Sequence, residues 1–97
     1  MYDLTGFQRD LLYCIIALDE PSGAEIRREL EAYLTADVNH GRLYPNLNDL
    51  IDEGLIEKGN KDDRTNLYTL TPLGSELIEE RRMWEDDQLE DTEIALS

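Results

Sequence analysis

The chain is 97 residues long and carries 23 Asp and Glu against nine Lys and Arg, which gives a formal net charge of −14. A chain of this length forms one small domain with a marginal core, so a partner subunit would help to stabilise it. A single cysteine excludes an intramolecular disulfide and a cysteine-based metal site. No stretch approaches the roughly 20 apolar residues of a membrane span, and the N-terminus lacks the basic and apolar regions of a signal peptide. We therefore expect a cytoplasmic protein.

The acidic excess indicates a protein that works in concentrated salt. Only two of the nine basic residues are lysine. Carboxylates repel one another at low ionic strength, and molar salt screens this repulsion. The composition is therefore typical of a halophile. The alternative is an ordinary acidic regulator or a protein-binding module.

Two capping boxes predict where helices 1 and 2 begin. Thr5 with Gln8 marks the first start, and Ser22 with Glu25 marks the second, after a break at residues 19–21. Apolar residues at helical spacing then form an inner stripe on each helix: Leu4, Phe7, Leu11, Ile15 and Leu18 on helix 1, and Ile26, Leu30, Tyr33 and Leu34 on helix 2. Helix 2 is expected to end near residue 34.

Helix 1 is apolar on nearly all sides. Tyr13 and Ile16 lie off its inner stripe, so we expect a second buried face that meets another subunit. Cys14 belongs to the same stretch, where a thiol is usually an inert small hydrophobe. A redox-sensing role is the alternative.

Helix 3 is predicted to begin near Asn39 or His40 and to end at Gly54, whose freedom to adopt a left-handed conformation suits a helix end. Its core stripe is Leu43, Leu47, Leu50 and Ile51. Pro45 is awkward inside a helix, so either the first turn is distorted or the helix starts later.

A hairpin and a fourth helix follow. Strands are predicted at 55–58 and 66–70, with a seven-residue tip at 59–65. Thr71 as N-cap and Pro72 as first residue begin helix 4. Its apolar stripe, Leu73, Leu77 and Trp84, is too thin for an internal face. It predicts a seam between subunits, or a ligand cavity with Trp84 as its floor.

These elements together predict a mainly helical winged helix-turn-helix. It has a three-helix core, a two-stranded wing and a C-terminal helix. Residues 1–71 would be the DNA-binding domain. Residues 72–97 would be the dimerisation helix and an acidic tail.

The outer face of helix 3 is predicted to enter the major groove. Candidate contact residues there are Asn39, His40, Gly41, Arg42, Tyr44, Pro45, Asn46 and Asn48. Gly41 and Pro45 keep the face slim, Arg42 can pair with guanine, and either asparagine amide can pair with adenine. Tyr44 can contact a thymine methyl or a phosphate. Asn39 and His40 either contact DNA or only cap the helix, and for His40 the contact would be with a phosphate. The alternative for the whole face is ordinary solvation.

Two further elements offer contacts to the DNA backbone or the minor groove. Lys61, Arg64 and Asn66 lie at the wing, where Arg64 or Lys61 would enter the minor groove. A solvated turn is the alternative, because Asp62 and Asp63 lie beside them.

At the start of helix 2, the amides of Ser22 and Gly23 can bind a phosphate. Arg27 and Arg28, further along the same helix, either assist or pair with Glu31 and Glu25.

Charge is segregated along the chain. Residues 38–68 hold six acids and four bases, a net of −2, so the other 66 residues carry −12. The segment expected to face DNA is therefore almost neutral. This distribution favours a DNA-binding function over a uniformly solvated acidic surface.

The run GRLYPNLNDLIDEGLIEKG, followed by NLYTLTPLG, resembles the PadR-like family of winged-helix transcriptional regulators over about residues 5–85. The positions that match the family pattern are Gly41, Leu43, Tyr44, Pro45, Leu47, Leu50, Gly54, Leu55, Ile56, Tyr68, Leu70, Thr71 and Gly74. Arg42 stands where the family usually has a small hydroxyl residue. The resemblance implies a homodimer through helices 1 and 4, with recognition helices about one DNA turn apart. With the acidity and scarce lysine, the chain looks like a short haloarchaeal member.

The sequence thus predicts a homodimeric, sequence-specific transcription regulator adapted to high salt, bound to double-stranded operator or promoter DNA. Cations are expected at that interface, because carboxylates there approach phosphates, and no cofactor or membrane is expected. The alternative is a winged-helix protein-interaction module that does not bind DNA, which Asp49, Asp62 and Asp63 favour. Nothing in the sequence indicates an enzyme, because it contains neither a phosphate loop nor a plausible Ser/His/Asp or Cys/His set.

Overall fold

The computed structural model describes residues 3–90 and 92. Its elements, in chain order, are α1 (Gly6–Leu18), α2 (Gly23–Leu34), α3 (His40–Asp52), β1 (Ile56–Asn60), β2 (Asn66–Leu70) and α4 (Pro72–Leu89). The two strands pair antiparallel. Four helices and one hairpin confirm the predicted mainly helical winged helix-turn-helix.

Both predicted capping boxes are present. The Thr5 hydroxyl accepts from the Gln8 amide at 3.1 Å while the Gln8 side chain accepts from the Thr5 amide at 3.1 Å. Ser22 and Glu25 repeat this exchange at the start of α2. Between the helices, Asp19 has a φ of 56°, so the chain turns at the predicted break.

The core lies between the first three helices and the base of the hairpin. Its fully buried aliphatic residues are Leu11, Leu12, Ile15, Ile26, Leu30, Leu43, Leu47, Leu50, Leu55 and Ile56. Tyr33 contradicts the prediction of an inner position, because 75% of its surface is exposed. In the last turn of α2 the core contact is made by Leu34 instead, which leaves the Tyr33 hydroxyl in water.

Helix α3 begins where the sequence predicted, with Asn39 as N-cap accepting from the Arg42 amide at 2.9 Å. Pro45 lies inside the helix, and the helix does not start later because of it. Proline has no N–H, so the carbonyl of Gly41 loses its backbone partner, but Gly41 is exposed to solvent. Gly54, with a φ of 78°, ends the helix as predicted.

The first strand of the wing is longer than predicted. β1 continues through Gly59 and Asn60, which pair with Leu67 and Asn66. The strand prediction of 55–58 and the seven-residue tip at 59–65 are therefore wrong, and the tip is residues 61–65. The strand is longer because Gly59 pairs within the ladder and is not part of the turn. The space beside its Cα is open, with no atom within 4 Å of an added Cβ.

A junction built around Thr71 joins α3, the wing and α4. The Thr71 hydroxyl donates to the Gly54 carbonyl at 2.7 Å and accepts from the Gly74 amide at 3.0 Å. The Thr71 amide donates to the Leu55 carbonyl at 3.0 Å. Gly74 packs so closely that an added Cβ would collide with that carbonyl and with Leu70. The end of α3 thereby sets the position of α4.

Helix α4 contributes to the core only at its start. Gly74 and Ile78 are its buried residues, and Leu77 is half-buried. The predicted stripe did not include Ile78, whose role is visible only once the hairpin has placed α4. Beyond Ile78 no residue of this helix is buried.

Replacing Gly74 with alanine should lower the free energy of unfolding by about 1–2 kcal/mol. Overpacking against a backbone carbonyl costs toward the upper end of roughly 1–3 kcal/mol, and the helix propensity gained returns only about 1 kcal/mol. Urea titration in molar KCl at one fixed protein concentration measures this. Gly59→Ala is the matched control, since its Cβ meets open space. Equal effects of the two substitutions would contradict the packing argument.

Candidate nucleic-acid interface

The outward face of α3 is slim and exposed. Gly41, Pro45 and Asn48 all lie in solvent on this face. Two of the three have little or no side chain, so the backbone of the helix can approach a groove floor. Asp49 and Asp52 are also exposed, toward the C-terminal end of the helix. The N-terminal half of the face, which carries no acid, is therefore the part suited to approach DNA.

Arg42 borders this face on the side of α1. Its guanidinium carbon lies 3.9 Å from the centroid of the Phe7 ring, a cation–π contact. The side chain thus rests against α1 rather than extending straight from the helix. The sequence pattern of α3 could not reveal this, because Phe7 lies 35 residues earlier in the chain.

Asn46 is directed to α1 and held there. Its amide nitrogen donates to the Arg42 carbonyl at 2.7 Å, and its oxygen accepts from the Gln8 side chain at 3.1 Å. Both ends of the amide are therefore occupied. Of the two asparagines predicted to read adenine, Asn48 is the one that faces solvent.

Tyr44 borders the same face on the side of α2, where it is half-buried. Its ring stacks with His40 at a centroid distance of 5.3 Å. Gly23, the first residue of α2, makes room for it, since an added Cβ there would lie 2.5 Å from the Tyr44 hydroxyl. Tyr44 therefore packs between α3 and α2, and it is also a candidate for contact with DNA. The sequence pattern did not show that Tyr44 packs against Gly23.

The start of α2 already holds an anion. The Ser22 amide donates to the Glu25 carboxylate at 3.0 Å. Hydrogen bonds from Ser22 lower the pKa of Glu25, which keeps the carboxylate ionised. The Ser22 amide predicted to bind phosphate is therefore engaged within the chain.

The predicted pairing of Arg27 with Glu31 is not formed. Glu31 instead accepts from the Val38 amide at 2.8 Å. One terminal nitrogen of Arg27 lies 2.9 Å from the Nε2 atom of His40. Within residues 3–90 and 92, the one ion pair is that of Arg81 with Glu85.

The wing presents Lys61, Arg64 and Asn66 to solvent. Asp62 shapes the tip, because its carboxylate accepts from the amides of Arg64 and Thr65 at 2.8 and 2.9 Å. These hydrogen bonds, that from Arg64 foremost, lower the pKa of Asp62. The aspartate that counted against DNA contact in the sequence is thus part of the turn itself.

A separate apolar surface lies on α1 and α4, away from this face. A groove of about 470 Å³ is lined by Leu4, Arg9, Leu73, Glu76, Leu77, Glu80, Arg81 and Trp84. Trp84 is 51% exposed and Ile16 is 45% exposed. Tyr13 and Leu73 are also exposed. The structure places these candidate interface residues at the surface, apart from the half-buried Leu77. Met83 of α4, which the sequence pattern missed, is also exposed.

No helix in the described part of the chain is long and apolar enough to cross a membrane. The same residues hold no group of three potential metal-ligating side chains.

The family model described as "Transcriptional regulator PadR-like family" matches residues 11–80. A comparison with curated proteins gives no significant match. Among solved structures, the chain is similar to RosR of H. salinarum, with 42% identity and a TM-score of 0.87 over 93% of this chain and 81% of RosR. A complex named hsRosR-S1 gives 43% identity and a TM-score of 0.86 over 92% and 80% of the two chains.

A mutant MarR from E. coli complexed with operator DNA is also similar, with 26% identity and a TM-score of 0.69 over 80% of this chain and 53% of MarR.

Cys14 should react slowly with iodoacetamide in the folded protein. Burial, and then Glu29 and Asp10, raise its pKa from 9.0 to about 11. At pH 8 a rise of two units lowers the thiolate fraction, and hence the rate, about 100-fold. The folded rate should keep rising until the pH passes 11, whereas the rate in urea should level off near 9. Mass spectrometry measures both, with Cys14→Ser as the unlabelled control. Equal rates would show that the thiol is reactive.

Proposed function

The chain belongs to the PadR-like family of transcriptional regulators, and we propose that this DNA-binding transcription regulator acts as a homodimer that reads operator sequences in concentrated salt. The match to RosR supports a haloarchaeal setting. Residues 1–71 form the DNA-binding domain, and residues 72–97 form a dimerisation helix and an acidic tail, of which residues 91 and 93–97 lie outside the described part of the chain. The proposed location is the cytoplasm.

The observation that carries this proposal is the slim, exposed N-terminal half of α3, bordered by Arg42 and Tyr44. A major groove admits a helix with such a face, and arginine bonds guanine through two parallel hydrogen bonds. Arg42 must leave Phe7 to do so. An exposed cation–π contact is worth about 0.5–1 kcal/mol, less than the roughly 1–3 kcal/mol of a bidentate guanine contact. The contact with Phe7 therefore positions the Arg42 side chain but does not prevent it from bonding guanine.

The wing is proposed to reach the minor groove with Lys61 or Arg64. Because Asp62 bonds the backbone of the turn, its carboxylate is directed to amides instead of phosphates. Asn66 lies at the base of the tip, paired with Asn60. The near-neutral charge of residues 38–68 lowers the repulsion that a −14 chain would otherwise exert on DNA.

Dimerisation is proposed to bury the apolar surface of α1 and α4. Ile16 and Trp84 are exposed apolar residues on different helices, and beyond Ile78 helix α4 has no buried residue. A second copy would cover both helices and would set two recognition helices at half-site spacing.

Arg42→Ala should weaken binding by roughly 1–3 kcal/mol on a specific site and relax preference at one base position. Arg64→Ala should weaken binding more evenly across sequences. Fluorescence anisotropy in molar KCl, on an operator selected from genomic fragments and on a random duplex, separates the two. If wild type shows no sequence selectivity, the proposed function fails. If both variants lose affinity equally on both duplexes, the assigned roles are wrong.

The wild-type protein should be a dimer at micromolar concentration in molar KCl. Replacing Ile16 and Trp84 with alanine should shift it toward monomer and make its stability more concentration-dependent. Light scattering measures the mass. Tyr33→Ala is the control, since that exposed aromatic lies on α2. A monomeric wild type would rule out the dimer.

The affinity for DNA should change little, or rise, with salt. Each phosphate neutralised by a basic residue contributes a log–log slope of about −0.9, whereas cations taken up between carboxylates and phosphates oppose it. We expect a shallow or positive slope between about 0.5 and 2 M KCl, where the Debye length is only a few Å. Titration of the operator, with circular dichroism as the folding control, measures the slope. A steep negative value would falsify the uptake of cations.

A further inference from the structure

Arg27 on α2 is a basic residue outside the recognition helix and the wing. Building on the proposed function, we propose that Arg27 binds a DNA phosphate and that His40 holds it in position. The ligand is a phosphodiester of the backbone, recognised through its oxygens. Arg27 thereby fixes the position of the duplex without reading its sequence.

The first observation is that Arg27 forms no ion pair with a carboxylate within residues 3–90 and 92. Glu31, one helical turn away, bonds the Val38 amide. Glu25 bonds the Ser22 amide. Among the described residues neither acid forms an ion pair with Arg27, so the guanidinium charge remains available to an external anion.

The second observation is how the guanidinium is held. Arginine only donates hydrogen bonds, so in this contact the Nε2 atom of His40, 2.9 Å away, is the acceptor. The Nε atom of Arg27 is buried and, within the described chain, has no hydrogen-bond partner. That buried atom is closed to an external ligand, but the side chain as a whole is only half-buried. The terminal nitrogens of this guanidinium are therefore the donors that an acidic ligand such as phosphate would bond.

The third observation is the place where this pair lies. His40 is the first residue of α3 and stacks on Tyr44, which packs against Gly23, the first residue of α2. The N-terminus of α3 therefore lies near Arg27, beside the N-terminus of α2, which the Glu25 carboxylate already caps. The same end of α3 carries the slim face proposed to enter the groove, so a phosphate beside that groove would meet Arg27.

The test compares Arg27→Met with Arg28→Met. Both remove one positive charge from α2, and Arg28 is exposed. Binding of a fluorescent random-sequence duplex in molar KCl is measured by anisotropy, with thermal melts to confirm folding. Arg27→Met should weaken binding about tenfold more than Arg28→Met, as expected for a charge-assisted hydrogen bond, and by the same factor on a selected operator.

Two further variants address positioning. His40→Gln keeps an acceptor for Arg27 and should retain more affinity than His40→Ala, which removes that acceptor. Arg27→Lys keeps the charge and most of the stem. It should bind less tightly than wild type, even if Arg27→Met unfolds.

The outcomes separate the two proposals. Equal affinities of Arg27→Met and Arg28→Met, with the wild type binding DNA, would overturn the role of Arg27 and leave the proposed function intact. An Arg27→Lys variant that binds as wild type would overturn the positioned contact in the same way. A wild type that binds no DNA would overturn both.

Discussion

The close approach of α4 to the end of α3 is the constraint on which the rest of the structure depends. Thr71 bonds the carbonyls of Gly54 and Leu55, and Gly74 admits no side chain beside Leu55. This one contact fixes the exit of the recognition helix, the base of the wing and the direction of α4. Because α4 and α1 carry the proposed dimer surface, the spacing between two recognition helices in a dimer would follow from the geometry of this junction.

The recognition helix is also held along both flanks. On one side Phe7 and Gln8, in the first turn of α1, contact Arg42 and Asn46. On the other side Tyr44 stands against the first residue of α2. The slim outward face is left free between these flanks. Since α1 supplies one flank and part of the apolar surface, the side chains expected to read DNA are one helix away from the proposed partner subunit.

Sequence patterns within one helical turn predicted where helices begin and end, but they did not predict contacts between elements. The capping boxes at Thr5 and Ser22, and the left-handed Gly54, depend on residues within one turn, so their patterns in the sequence were sufficient. The outward Tyr33 and the longer β1 depend on where the core ends and on which strand lies opposite. The attachment of Arg42 to Phe7 depends on tertiary packing between residues 35 positions apart. The sequence therefore predicted the fold and the exposed outer face of α3, but not how individual side chains are held on that face.

The acids of this chain also have a role in the backbone. Glu25, Glu31 and Asp62 each accept a main-chain N–H at 2.8–3.0 Å. Ions in a molar solution screen charge over about 3 Å, so interactions at this range escape most of that screening, while any longer-range field of the protein is lost. Carboxylates that serve as caps thus keep their structural effect in brine. In such a medium the shape of the wing and the helix ends rests on contact distances, and the unusual acidity coexists with ordinary local order.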